Sequence, residues 1–477
     1  MSGFVVAYGN SQPEEVKSMF ERISHRGPFA EGLFEGEKII MAQNYFRADG
    51  ISIEDGNEIP VVSTLNKNVR ICYDGQVGNW NKLAAERNIS DDPCKEERLL
   101  LDMYSELGLE MLGHLGDAIF SFVISEGENF IAARDLLGIK PLFYGLKNGN
   151  IYFSSELKSI VQVTDDVYEF PPGHYMINDW NPIPYAKLPE EPPANLHSNV
   201  HQMIENVRGI IQRSFNSRVD FSEPTGSLLS GGLDSSVIAT LATKANKEKS
   251  GNNAKLKTFA LGIGESGDIH SARVMSNFLG TEHHELIVDL DQILEVLPDV
   301  IYHLESFDPS LVRSSVSNYL ISRYSKEQGI DVLLSGEGGD EVFCGYLYLK
   351  DYPPEQLFAE QIKVLKALHN NASLRLDRMN MCNSVRVVAP LISGELLNYA
   401  LAIAPEYKQR SVGDGKSGSA DVLPPHFDNI IGDKELEDAK ALYPKIRSKE
   451  ELYYFRIFRQ HFSAPKAADT VGQWVSL

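Results

Sequence analysis

A chain of 477 residues with 43% apolar and 23% charged side chains is too long for one ordinary core and can bury two or three. Its formal net charge of -21 argues against a nucleic-acid partner, which needs basic stripes, and no stretch approaches the roughly 18 to 20 apolar residues of a membrane span. The start, MSGFVVAYGN, lacks a basic n-region, and Cys72, Cys94, Cys344 and Cys382 are scattered without zinc or disulfide spacing, so a cytoplasmic protein is expected.

Residues 1 to about 180 read as short β-type runs broken by Gly, Asn and Asp: Gly3–Tyr8, Lys38–Gln43, Val69–Tyr73, Ala118–Ser125, Asn129–Ala133 and Ile151–Ser155. Helical spacing intervenes at Pro13–Ile23 and Glu96–Leu107. This pattern predicts a sheet-rich α+β domain over 1–185. Prolines crowd the next passage (Pro182, Pro184, Pro189, Pro192, Pro193), which fits a linker at 186–200. From 201 to 477 the pattern changes to an α/β one. A helix at Val200–Asn216 precedes a strand at Gly226–Ser230, a helix at Ser235–Asn246, a strand at Leu256–Gly262 and a further strand near Asp331–Leu334. Such alternation predicts a parallel sheet with crossover helices, followed by a mainly helical end. Ser411–Asp421 is small and polar enough to be a loop.

The strongest chemical signal is Ser230-Gly-Gly-Leu-Asp-Ser-Ser236 directly after an apolar strand. Gly231 and Gly232 let the backbone turn tightly and aim N–H groups at an anion, and the following helix adds its positive end. Ser230, Ser235 and Ser236 can donate to phosphate oxygens, and Asp234 can hold a magnesium ion that offsets phosphate charge. No Gly-Lys-Ser/Thr follows, so this is not a Walker A loop. A second run, Ser335-Gly-Glu-Gly-Gly-Asp340, also follows a strand and crowds carboxylates, which phosphate tolerates only beside a compensating cation.

The first loop resembles the pyrophosphatase loop of enzymes that split ATP into AMP and pyrophosphate by adenylating a substrate. Thr258–Gly262, Leu279–Glu285, Ile301–Asp308 with Arg313, and Ser335–Tyr346 narrow the resemblance to the asparagine synthetases. The likeness implies an adenine nucleotide α-hydrolase-like domain binding ATP and Mg2+. Leu229, Ser230, Gly231, Gly232, Asp234, Ser235, Ser236, Leu261, Gly262, Ser335 and Gly336 would contact nucleotide. Asp234 and Asp340 would flank the metal, and Glu337 would assist amine attack on an acyl-AMP. His283 and His284 read as structural. The implied substrates are ATP, aspartate and ammonia, and the implied assembly is a homodimer.

His25–Pro28, Arg134–Tyr144, Phe153–Lys158 and Phe170–His174 resemble the same family's class II glutaminase domain, a four-layer sandwich of the N-terminal-nucleophile type. There a cysteine stands at the second position and its own amine acts as base. Here that residue is Ser2, whose hydroxyl ionises far less readily than a thiol. The family's Asn-Gly-Glu becomes Asp74-Gly75-Gln76, and a carboxylate repels an oxyanion that an amide would stabilise. Arg47 and Glu96 stand where the glutamine-binding Arg and Asp are expected. Glutamine hydrolysis is therefore expected to be lost.

Ser384–Ser393 also departs from the family, with Val388 in an arginine's place, and Lys408–Gly415 compresses a longer family loop. Three readings stay open: an ammonia-dependent synthetase making asparagine from aspartate, an amide-forming relative of β-lactam synthetase type that uses another amine, and a non-catalytic nucleotide-binding paralogue.

Overall fold

The computed structural model describes residues 2–28, 30–46, 58–87, 89, 94–194, 199–264, 267–408 and 424–473. Arg47, Ser411–Asp421 and the compressed loop from 409 onward lie outside them.

The first half is built on period-2 strands. In β1 (Ser2–Tyr8), Phe4 and Val6 point one way, and Val5 and Ala7 the other. Eleven more strands follow: β2 (Ala30–Glu35), β3 (Ile39–Tyr45), β4 (Val61–Val62), β5 (Val69–Val77), β6 (Ala118–Glu126), β7 (Asn129–Arg134), β8 (Phe143–Lys147), β9 (Asn150–Ser154), β10 (Val167–Glu169), β11 (His174–Ile177) and β12 (Ile183–Pro184). They form two antiparallel six-stranded sheets, ordered β10-β8-β9-β1-β3-β2 and β12-β11-β7-β6-β5-β4. Phe4, Val6 and Met41 of one sheet meet Cys72, Val123 and Phe130 of the other in a shared core. The outer face of the first sheet is covered by the helix Pro13–Glu21 through Val16 and Met19. Leu99, Leu100 and Met103 of the helix Lys95–Leu107 cover the second. The half is thus a four-layer sandwich, as the family resemblance implies, and sheet-rich, as the strand pattern predicts.

The second half carries five parallel strands: β13 (Thr225–Leu228), β14 (Lys257–Ile263), β15 (Glu282–Val288), β16 (Val332–Leu334) and β17 (Arg386–Val388), ordered β15-β14-β13-β16-β17. β13 ends at Leu228, two residues before the predicted end: its pairing with β16 stops at Ser227 and its pairing with β14 at Leu228. Leu229 and Ser230 are thereby freed for the loop. Crossover helices Leu233–Ser250 and Gly267–Leu279 follow β13 and β14, and the remaining chain is mainly helical. Among the described residues no helix is long and apolar enough to cross a membrane.

The halves share one apolar cluster. Val16, Met19, Leu157 and Ile160 from the sandwich join Leu297, Val300, Ile301 and Leu304 of the helix Leu290–Leu304, and Tyr454, Phe455 and Phe458 of the helix Lys449–His461. Beside it lies a buried ionic network of four cations (Arg26, Lys140, Lys158, Arg378) and four anions (Asp74, Glu156, Glu305, Asp377). Arg26 reaches Asp74 at 2.8 Å, Glu156 at 3.0 Å and Asp377 of the second half at 2.6 Å. Arg378 of the second half reaches Glu156 at 2.8 Å and Glu305 at 2.7 Å. Glu305, at the left-handed end of its helix, also accepts from the main-chain N–H groups of Leu157 (2.9 Å) and Lys158 (2.7 Å).

Burial opposes ionisation of Glu156 and Asp377, yet their cationic neighbours hold both carboxyls well below the ordinary range. A depressed folded-state pKa means that the stabilisation is complete above the unfolded value near 4 and is lost as pH falls through the lower folded value. Unfolding stability should therefore show little dependence on these two groups from pH 8 to about 5, and their share should be lost below about pH 4. Asp377→Asn leaves Arg26 and Lys140 short of an anion and should cost about 3–5 kcal/mol, read by denaturant unfolding at pH 7.

Candidate active site

Parallel strands deliver their following loops to one sheet edge. Leu228 pairs with Phe259, Ser227 with Leu334, and Leu334 with Val388. The segments after β13, β14 and β16 therefore leave side by side, and the two sequence-predicted motifs meet. Leu229 donates its N–H to the Phe259 carbonyl at 2.8 Å, and Ser335 donates to the Val388 carbonyl at 2.9 Å, so both loops start from pinned residues.

The contact between them is a glycine contact. A Cβ on Gly336 would lie 2.6 Å from the Asp234 carbonyl carbon and the Ser235 nitrogen, and one on Gly339 would lie 2.4 Å from the Asp234 carboxylate. Gly231 has φ +78°, and a Cβ there would come within 2.5 Å of the Ser271 backbone. Within the first loop, the Ser230 and Ser235 hydroxyls lie 3.0 Å apart, and Gly232 donates its N–H to Ser230 Oγ at 3.3 Å. Ser236 closes the first turn onto the Gly232 carbonyl at 3.1 Å. The helix Leu233–Ser250 runs for 18 residues behind it, so its positive end faces this loop. Ser335 Oγ accepts from the Glu337 N–H at 3.2 Å. Leu261 and Gly262 sit near the end of β14 on the same edge.

The electrostatics ask for a cation. Burial, then Asp340 and Glu337, push the Asp234 carboxyl up to about 6. Burial and Glu337 likewise raise Asp340. Glu337 is offset by Arg375, which donates to it at 2.7 Å from the helix Ala372–Met381. Among the described residues no cation pairs with Asp234 or Asp340. Among the described residues no group of three or more His, Cys, Asp or Glu side chains could hold a metal unaided. Two carboxylates beside a phosphate cradle instead fit magnesium, which takes few protein ligands and completes its shell from phosphate and water.

His283 and His284 are structural. His283 Nδ1 lies 3.0 Å from Thr258 Oγ1, and His284 stacks on Phe259. Arg313 pairs with Glu450 at 2.5 Å, and Asp308 with Arg447 at 2.8 Å, tying the last helices to Pro309–Glu327 rather than entering the phosphate loops.

Two family models match this chain, asparagine synthase over residues 206–363 and a glutamine amidotransferase domain over 1–202. The chain is 30% identical to asparagine synthetase B [glutamine-hydrolyzing] of Escherichia coli (strain K12), over 94% of this chain and 88% of that protein. It is 29% identical to asparagine synthetase [glutamine-hydrolyzing] 3 of Arabidopsis thaliana, over 99% and 89%.

The chain belongs to the asparagine synthetase family. It is thus an ATP-dependent ligase of that family.

In the glutaminase-like half, Ser2 is only 2% exposed. Its main-chain N–H points at Asp74 Oδ1 (3.1 Å), its hydroxyl donates to the Tyr73 carbonyl, and Gln43 Nε2 donates to that hydroxyl at 3.0 Å. Asp74 carries no oxyanion donor. Its carboxylate sits between Arg26 at 2.8 Å and Lys140 at 3.2 Å. Gln76 Nε2 donates to the Arg218 carbonyl across the junction at 3.2 Å. Gly75 packs against the Ile119 carbonyl and the Tyr73 ring. Glu96 accepts from the Tyr73 hydroxyl at 2.6 Å and the Val77 N–H at 3.2 Å.

Sequence reasoning missed Arg375, because the helix that supplies it is 38 residues from Glu337 and no spacing rule joins them. The Asp234–glycine contact should be exacting. Gly339→Ala should weaken ATP binding at least tenfold, read by calorimetry with ATP and magnesium, while the far-UV circular dichroism stays unchanged.

Proposed function

We propose that this protein makes asparagine from aspartate in two steps, using free ammonia, in the cytoplasm and as a homodimer. Residues 1–185 would be a glutaminase-like domain without glutaminase activity, 186–200 its linker, and 201–477 the synthetase domain. The observation that carries the ammonia reading is Asp74. An acidic side chain paired with Arg26 and Lys140 stands where the family resemblance expects an oxyanion donor, beside a Ser2 whose hydroxyl is already committed.

In the first step an aspartate carboxylate oxygen attacks the α-phosphorus of ATP and pyrophosphate leaves. The N–H groups and hydroxyls of Ser230–Ser236, with Ser335 and Gly336, would hold the phosphates, and backbone groups near Leu261 and Gly262 would hold adenine. In the second step ammonia attacks the acyl carbon, AMP leaves, and Glu337, held by Arg375, is placed to orient the amine and accept its proton. A magnesium ion, when bound by Asp234 and Asp340, neutralises charge on the leaving pyrophosphate. Most of the protein's contribution is positioning and charge balance.

Pyrophosphate release with ATP, magnesium and aspartate should rise with ammonium chloride and not with glutamine, giving asparagine as product. Ser2→Ala should leave the rate within about twofold, and Glu337→Gln should lower it about a hundredfold. Glutamate formed from glutamine at a rate abolished by Ser2→Ala would overturn the ammonia reading. Release without any added amine would favour an internal nucleophile, and ATP binding with no release would favour a non-catalytic paralogue.

A further inference from the structure

A cavity of about 630 Å³, within the size range of small-molecule sites, is lined by the helices Val200–Arg218 and Leu233–Ser250. Its wall is mainly aliphatic, with Met203, Val207 and Ile211 from the first helix and Val237 and Leu241 from the second. Val200, Ile204 and Tyr407 also line it and are 45%, 49% and 47% exposed. Large apolar side chains left in water together, rather than singly, mark a surface that something covers.

Lys408 lines this cavity and, with Ile403, a second one of about 340 Å³ beside it. Its ammonium group donates to Gln361 Oε1 at 3.0 Å. Gln361 is fixed in that orientation, because its Nε2 donates to the carbonyls of Glu341 at 3.2 Å and Val342 at 2.6 Å. One of the three N–H donors of Lys408 is thereby used. Among the described residues no acid pairs with Lys408, and Glu406, in the wall of the second cavity, is exposed. The other cation of the first wall, Arg208, is already paired with Glu205 at 2.6 Å.

We propose that the larger cavity binds a medium-chain aliphatic monocarboxylate, with its carboxylate on Lys408 and its chain along Val207, Ile211 and Leu241.

The wall selects this class. Burial pushes the Lys408 ammonium down to about 8, so at pH 7 it is still mostly charged. The Cys344 thiol, the ionisable group that acts on it, is pushed up to about 11 by burial and offers no negative charge there. A buried cation short of an anion is costly, and a carboxylate relieves it through charge-assisted hydrogen bonds from the N–H groups left open. A phosphate ester would bring close to two negative charges to a single cation, and an amine would meet Lys408 with like charge. An alcohol of the same length would bury its chain and gain no ion pair. The chain itself takes the exposed aliphatic side chains out of water.

The test is calorimetric titration of the full chain at pH 7 with octanoate, decanoate and dodecanoate. Decan-1-ol and decyltrimethylammonium serve as the uncharged and cationic counterparts. One molecule should bind per chain, and each added CH2 should tighten binding about threefold to fourfold. Decan-1-ol should bind at least tenfold more weakly than decanoate, and the cation more weakly still. No binding of decanoate, or equal binding of decanoate and decan-1-ol, overturns the proposal.

Lys408→Met should weaken decanoate at least tenfold and leave decan-1-ol within about twofold, whereas Lys408→Arg should keep decanoate within about threefold. Far-UV circular dichroism reports that each variant folds. Decanoate binding unchanged by Lys408→Met overturns the role of that residue. Val207→Trp, which fills the cavity, should abolish binding of both decanoate and decan-1-ol, and retained binding overturns the location. In sedimentation velocity, a dimer that Val207→Trp dissociates would place a second copy of the chain on this surface, and that outcome also overturns the proposal.

Discussion

The arrangement depends on charge pairing among buried side chains. Four cations and four anions meet between the halves, and each side chain is at most 6% exposed. A buried charge costs several kcal/mol unless paired, so the count has to close and the geometry has to keep it closed. The members come from distant parts of the chain: Arg26 after the first helix, Asp74 on β5, Lys140 before β8, Glu156 and Lys158 after β9, Glu305 at a helix end, and Asp377 and Arg378 on one late helix. Satisfying them fixes how the sandwich meets the parallel sheet. The same helix, Ala372–Met381, carries Arg375 to Glu337. Thus the docking of the halves and the position of the acid at the candidate active site are set by one element.

The phosphate loops obey a different constraint, close approach of backbone. Glycine at 336 and 339 lets the second loop lie directly on Asp234, and glycine at 231 lets the first loop pass Ser271. This proximity also concentrates negative charge, which is why burial and mutual repulsion raise Asp234 and Asp340. Such a cluster is unfavourable by itself and becomes favourable with a divalent cation and a polyphosphate.

Legibility in the sequence followed sequence distance. The Ser230–Ser236 loop could be read because strand, glycine turn and helix are contiguous, and the Ser335–Asp340 run could be read for the same reason. Their meeting was implied by parallel-sheet logic, since both follow strands of one sheet. The short strand β17 was not legible, because three residues give no period to count and only pairing with β16 makes them a strand. Nor were the partners of Arg26. It lies in the His25–Pro28 segment that resembles the family, but nothing local links it to Asp377, 351 residues away. The change at Asp74 was visible and its electrostatic consequence was foreseen, but its pairing was not. The resemblance puts Asp74 where the family has an asparagine, and the fold adds that its carboxyl has cationic neighbours on both sides.

That pairing couples two substitutions that look independent along the chain. Ser2 alone would weaken a nucleophile and leave the pocket otherwise serviceable. Asp74 alone would oppose an oxyanion while supplying the fourth anion that Arg26 and Lys140 share. Replacing Asp74 by the amide would leave four cations against three anions among these buried side chains. A thiol at position 2 would then face a carboxylate that the network holds in place. The Asp74 carboxyl at the Ser2 end of the first half is therefore also part of the ionic network that joins it to Asp377 and Arg378 of the second.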